Sequence, residues 1–212
     1  AKPVNRFVAP RISDDMFRVP ANGHSGAIEV KVIGALDGQL ITTAEKALLR
    51  IDQGVVSPDP ENDILKIAVI NRYENAEPAV GFIRGTGLKN GAMASTVAHD
   101  SHNIVVAGTD DRFMTEAVKL VSESKGGLAM VTERDRLLLP LPVGGIMSTD
   151  DAETTAKNYS ALDKVAKQSG SSLSAPFMTL SFMALLVIPN LKLGDKGLFD
   201  GMNFTFTKLF RI

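Results

Sequence analysis

The chain has 212 residues, with 23 Lys plus Arg against 24 Asp plus Glu and a net charge of −1. That balance, without any basic run, excludes the clustered positive charge that gripping nucleic-acid phosphates needs, so no nucleic-acid partner is expected. The absence of cysteine excludes disulfides, thiolate nucleophiles and Cys-ligated zinc.

Nothing calls for an oxidising compartment, and the cytoplasm is the expected location. Ala1–Arg6 lacks the apolar core of a secretory signal. The most apolar stretch, Phe177–Ile188, is interrupted by Thr179 and Ser181 and stopped by Pro189. A membrane span needs about 20 apolar residues, so no membrane partner is expected. A start at Ala fits either methionine removal or a piece of something longer.

The first sixty residues read as β-rich. Ile28–Ile33 alternates apolar and polar, the period of a half-buried strand. A turn at Asp37-Gly38 leads into Gln39–Thr42 and suggests a hairpin. Thr42 and Glu45 then offer a capping box, with Ala44, Ala47, Leu48 and Ile51 at helical spacing, so the local reading over 44–51 is a short helix. Ser57-Pro58-Asp59-Pro60 is the best boundary in the chain.

Beyond it, Leu65–Ile70, Val80–Ile83, Ala92–Val97 and Ile104–Ala107 are short apolar strands separated by turns. Asp110-Asp111 caps a helix with Phe113, Met114, Ala117, Val118 and Val121 on its inner face, ending at Gly126-Gly127. A hairpin of Leu128–Thr132 and Leu137–Leu141 turns at Arg134-Asp135. Thr149–Ser169 reads as a second helix, with Ala152, Ala156, Tyr159, Leu162 and Ala166 in one stripe. Pro176 opens a buried third helix, and Leu198–Phe210, with Phe204 and Phe206 alternating, looks like a closing strand. The fold class expected is α+β: a layered domain of short mixed strands with two to three helices over 62–212, preceded by a small β-rich segment over 1–61.

The segment densest in chemistry is His99-Asp100-Ser101-His102-Asn103, a strand-end loop holding two of the three histidines. Imidazole and carboxylate are ligands of zinc, iron and manganese, but a metal would need further ligands from elsewhere. The other reading is a hydrogen-bonded network that fixes the strand crossing. Ser101 between two histidines makes a poor triad, because chain neighbours point in different directions. The glycines at 81, 85, 87 and 91 are spaced like a phosphate loop, yet a turn and a strand follow instead of a helix, and tight turns account for them. Arg72 and Tyr73 end a strand, where a ligand-facing or a plain surface role is open. Met147-Ser148-Thr149-Asp150 reads as a helix cap.

Several of these segments together resemble one family. Gly81-Phe82-Ile83-Arg84-Gly85, Ser95–Asn103, Leu139-Pro140-Leu141-Pro142, Gly145-Ile146-Met147-Ser148, Pro176–Phe182 and Val187-Ile188-Pro189 are similar in order and spacing to the C-terminal domain of bacterial adenine deaminase. The similarity covers about residues 62–212. Residues 1–61 resemble, more loosely, the β-rich segment that follows the catalytic barrel in that family, which favours extended structure over 44–51.

The resemblance implies hydrolytic deamination of adenine to hypoxanthine and ammonia, a role in purine salvage, and manganese, iron or zinc in the whole enzyme. It implies an amidohydrolase barrel as partner, on the same polypeptide or a separate chain, adenine or a related purine as ligand, and a homo-oligomer. The barrel fold takes about 250 residues. This chain is too short for it, has no His-x-His pair, and is not expected to be catalytic alone. Asn71-Arg72-Tyr73 also stands where the family typically reads Glu-Arg-His.

The site expected under this resemblance is a polar loop that faces or buttresses the active site. His99, Asp100 and His102 are its candidates for a supporting catalytic role, and Ser101, Asn103, Arg72 and Ser148 for substrate contact. No metal ligand is assigned to this chain. The alternatives are a non-catalytic purine-binding or oligomerisation module, and an independent small metallohydrolase built on the loop.

Overall fold

A computed structural model describes residues 5–8 and 11–210. In chain order the strands are β1 (Ala27–Ala35), β2 (Thr42–Asp52), β3 (Val55–Val56), β4 (Leu65–Ile70), β5 (Ala79–Arg84), β6 (Ala92–Ser95) and β7 (Ile104–Gly108). Helix α1 (Asp111–Glu123) leads to β8 (Gly127–Val131) and β9 (Arg136–Pro140). Helices α2 (Ala152–Gln168) and α3 (Pro176–Phe182) follow, then β10 (Leu191–Gly194), β11 (Gly197–Asp200) and β12 (Thr205–Phe206). The result is a layered α+β fold.

Nine strands form one sheet in the order β3-β2-β1-β5-β4-β7-β6-β8-β9, and β10, β11 and β12 form a smaller one. All neighbours in the large sheet are antiparallel except β1 and β5. Its central strands are covered on both faces, which is why they read as mostly apolar runs, and buried Lys66 of β4 pairs with Asp111 at 2.6 Å. Alternation along each strand divides the side chains between two cores. Ala68, Ile70, Ala94, Val106 and Val131 meet Phe113, Met114, Ala117, Val118 and Val121 of α1. Ile67, Val69, Met93, Val105 and Met130 face Leu162 and Ala166 of α2, Phe177 and Leu180 of α3, and Leu193 and Leu198 of the small sheet. The helix α1 sits close because small residues lie beneath it: a Cβ on Gly108 would come within 2.7 Å of Met114 Cγ.

The helix expected over 44–51 is strand β2. Nine residue pairs, from Ala27 opposite Arg50 to Ala35 opposite Thr42, bind it to β1. An isolated helix of this length is marginal in water, so tertiary pairing outweighs the helical spacing. The supposed capping residues serve the sheet: Thr42 Oγ1 donates to the Leu191 carbonyl at 2.8 Å, and Glu45 pairs with Arg84 at 2.7 Å. The large sheet runs on across Ser57–Pro60, since β1 lies beside β5, and Val30 and Val32 share a core with Ile64 and Phe82.

Two element boundaries differ from expectation. The second helix starts at Ala152 and not at Thr149, with Asp151 Oδ1 accepting the Thr154 N–H at 2.8 Å. Of the expected stripe, Leu162 and Ala166 are buried and Ala152 and Ala156 are exposed, because the first turns overhang the core. In the tail, Asp200 Oδ1 accepts the N–H groups of Met202 and Asn203, making a turn that shortens the closing strand to Thr205–Phe206. Phe204 lies in that turn at φ 51° instead of on a strand. No helix among the described residues is long and apolar enough to cross a membrane.

Candidate active-site loop

The loop is produced by an early end to β6. Ser95 Oγ accepts the Val97 N–H at 2.9 Å and donates to the Val97 carbonyl at 3.0 Å, a local turn that competes with the ladder. The chain leaves the sheet, passes buried Ala98, and presents His99–Asn103 before re-entering as β7.

What lies beside the loop follows from strand register. Ile70 of β4 is opposite Ile104 of β7. Continuing that antiparallel register past both strand ends brings Arg72 level with His102, and Tyr73 level with Ser101. The side chains complete what the register starts. Arg72 Nε donates to the His102 carbonyl, and Tyr73 Oη donates to the Ser101 carbonyl at 3.0 Å. Asn103, buried, accepts the Arg72 N–H at 3.4 Å. On the other flank the His99 N–H donates to the Ser181 carbonyl at the end of α3, and the His99 ring stacks on Phe182 at 4.9 Å and 18°. The His102 N–H closes the loop on the Ala98 carbonyl at 2.6 Å.

The loop backbone is therefore held from two sides, the segment after β4 and the end of α3, and closed on itself, while Asp100 and Ser101 are exposed and His99 and His102 are half-buried. The two imidazoles lie 5.7 Å apart, edge to face. Burial, the neighbouring His99 and the Arg72 guanidinium hold the His102 imidazole below its ordinary range, against the opposing pull of Asp100. His102 is thus neutral near pH 7, and its buried Nδ1 has no hydrogen-bond partner among the described residues.

Arg72 is 2% exposed, and no carboxylate pairs with it among the described residues. Its charge is met by carbonyls and aromatic faces: Nη2 donates to the Gly144 carbonyl at 2.8 Å, and the guanidinium lies 4.6 Å from the Tyr73 ring centroid. Gly145 packs flat against it. A Cβ there would come within 2.6 Å of Arg72 Nη1, and φ is +77°, so the position suits glycine on both counts. Arg72 thus lies under the loop.

Ser148 stays apart from this cluster, its Oγ accepting the Asp150 N–H at 3.0 Å within its own turn. From the same segment it is Gly144 and Gly145 that reach Arg72 beneath the loop. As site residues, sequence reasoning passed over these glycines, which carry no side chain to signal a role, and Phe182, which read as part of the buried third helix. The Gly85–Gly87 turn is closed by Asp63, whose carboxylate accepts the N–H groups of Gly85 at 2.9 Å and Gly87 at 2.8 Å, filling the place a phosphate would take.

The loop does not fit the metal that the resemblance implies. Among the described residues no three His, Asp or Glu side chains come together as a ligand set, and the Arg72 guanidinium under His102 works against a cation.

Residues 39–205 match the family model described as the adenine deaminase C-terminal domain. This chain belongs to that family. The match spans β2 through β11 and so includes the whole loop and both of its flanks. Among curated relatives, a protein named adenine deaminase from Methanosarcina acetivorans is 49% identical over 97% of this chain and 38% of its own length. Its namesakes from Salinibacter ruber and Methanothermobacter thermautotrophicus are 47% and 44% identical over 98% of this chain, and over 37% and 38% of theirs. The chain thus aligns with these relatives over nearly its whole length but spans less than two-fifths of theirs.

Proposed function

We propose that this chain is the C-terminal part of an adenine deaminase, which converts adenine and water to hypoxanthine and ammonia in purine salvage in the cytoplasm. The observation that carries the reading is the asymmetry of coverage: relatives named adenine deaminase match 97–98% of this chain and retain most of their length beyond it. The metal, whether manganese, iron or zinc, belongs in this reading to the amidohydrolase barrel outside the chain, on the same polypeptide.

The part played here is positional and protonic. A neutral imidazole offers one donor and one acceptor, which suits His102 to hydrogen-bonding a purine edge or relaying a proton, with the His99 ring 5.7 Å away on the same surface. Asp100 and Ser101 extend the same polar surface. Arg72, Tyr73 and Asn103 keep the loop in one conformation, so that its side chains meet the ligand without first being ordered.

The test is ammonia release from adenine by the intact polypeptide, wild type against His99→Asn and His102→Asn. At least one variant is expected to lose ten-fold or more in kcat/KM with its urea midpoint unchanged. Wild-type turnover in both variants would remove the loop from the reaction.

A further inference from the structure

Between β6, β8, β9 and the helices α2 and α3 lies an apolar pocket of about 210 Å³. Val97, Leu139, Leu141 and Phe177 line it, and Met178, 51% exposed, stands at its rim. No charged side chain lines it. Its two serines are engaged with their own backbone, Ser95 Oγ donating to the Val97 carbonyl and Ser181 Oγ to the Met178 carbonyl. Tyr159 brings one hydroxyl to the lining, too few polar groups for a purine's four ring nitrogens, and each left buried and unpaired costs about 1–3 kcal/mol. The volume also falls below the roughly 300 Å³ at which small-molecule sites begin. The chemistry suits one large aliphatic or aromatic side chain delivered by a protein surface.

Two further observations say which surface. The pocket adjoins the loop: Val97 leads into it, and the Ser181 carbonyl holds the His99 N–H. The N-terminal end of the described chain arrives at the same end of the large sheet, with Phe7 packed on its α1 face. Asn5 Nδ2 donates to the Pro142 carbonyl, one residue beyond Leu141 of the pocket. The Val8 N–H donates to the Arg72 carbonyl at 2.7 Å, and Phe7 lies 5.6 Å from the Arg72 guanidinium. The relatives keep most of their length outside the match, and the matched family is a C-terminal domain, so in them the remainder precedes it.

We infer that this pocket receives an apolar side chain from the polypeptide that precedes the chain, seating the catalytic portion against the His99–Asn103 loop. The inference rests on the deaminase reading above, because that reading supplies the preceding portion. It assigns the pocket to docking, and leaves purine contact to the loop.

The experiment is photo-crosslinking of the intact polypeptide with p-benzoylphenylalanine in place of Met178. Leu48 on β2, 72% exposed and far along the sheet, serves as the control position. The expected result is a crosslink within one copy, from position 178 to a peptide upstream of Ala1, at least five-fold above the yield from position 48. No crosslink, or a crosslink only between copies, overturns the inference. Conversion of adenine to hypoxanthine by the same preparation separates the two claims. Turnover without the upstream crosslink sinks the pocket and leaves the deaminase reading standing. The crosslink without turnover supports the pocket and sinks that reading, and the loss of both overturns both.

Discussion

Arg72 and His102 show how one buried cation can order a loop and set a neighbour's protonation together. The guanidinium holds the His102 and Gly144 carbonyls, and its charge helps to keep the imidazole neutral. Arg72→Met is expected to cost about 2–4 kcal/mol, because it leaves buried carbonyls unpaired, and to raise the His102 pKa. Urea unfolding and an NMR titration measure the two effects separately. The sign of the pH dependence follows from linkage. Unfolded His102 takes up its proton near pH 6.5 and the folded residue only at lower pH, so its contribution is present above about 6.5 and lost as pH falls through the folded value. His102→Asn removes that part of the acid slope. An unchanged slope would show that His102 is not depressed.

Lys192 does comparable work between elements. It is 0% exposed on β10, and its Nζ donates to the Leu40 carbonyl of the β1–β2 turn at 2.6 Å and to the Phe182 carbonyl at the end of α3 at 3.0 Å. It thereby ties the small sheet to the large one and to the residue that stacks on His99. Burial pushes its amine down to about 8. Unfolded lysine keeps its proton to about 10.4, so from pH 8 to 10.5 the unfolded chain binds more protons and stability rises with pH. A rise on the order of 1–3 kcal/mol is expected in the wild type and not in Lys192→Met. Denaturant unfolding at pH 8 and pH 10.5 for both proteins checks it, and parallel pH profiles would refute the depressed amine.

Across the whole molecule, one nine-stranded sheet joins residues on both sides of the Ser57–Pro60 turn. Removing residues 1–61 would strip β1 from β5 and uncover Phe82, Ile83 and Ile64, all buried in the intact chain. A 62–212 fragment is expected to unfold at markedly lower urea than residues 1–212, or to aggregate through the freed edge of β5. Equal urea midpoints would make the C-terminal segment self-sufficient.

Much of this was legible in the sequence. Leu65–Ile70 and Ile104–Ala107 announced buried strands because both faces of each are covered, and α1 was set by its amphipathic stripe and the Asp110 cap, whose carboxylate accepts the Phe113 N–H at 2.9 Å. The His99–Asn103 loop stood out because polar residues were crowded between two apolar runs. These are local signals, decided by periodicity and capping within a few residues. The strand at 42–52 depended on its pairing with β1, the order of the nine strands on pairing across the whole sheet, and the meeting of Arg72 with His102 and Gly144 on contacts between residues 30 and 72 positions apart. Such contacts carry no local signature, since they exist only once antiparallel pairing has fixed the register, and that pairing is a property of the assembled core.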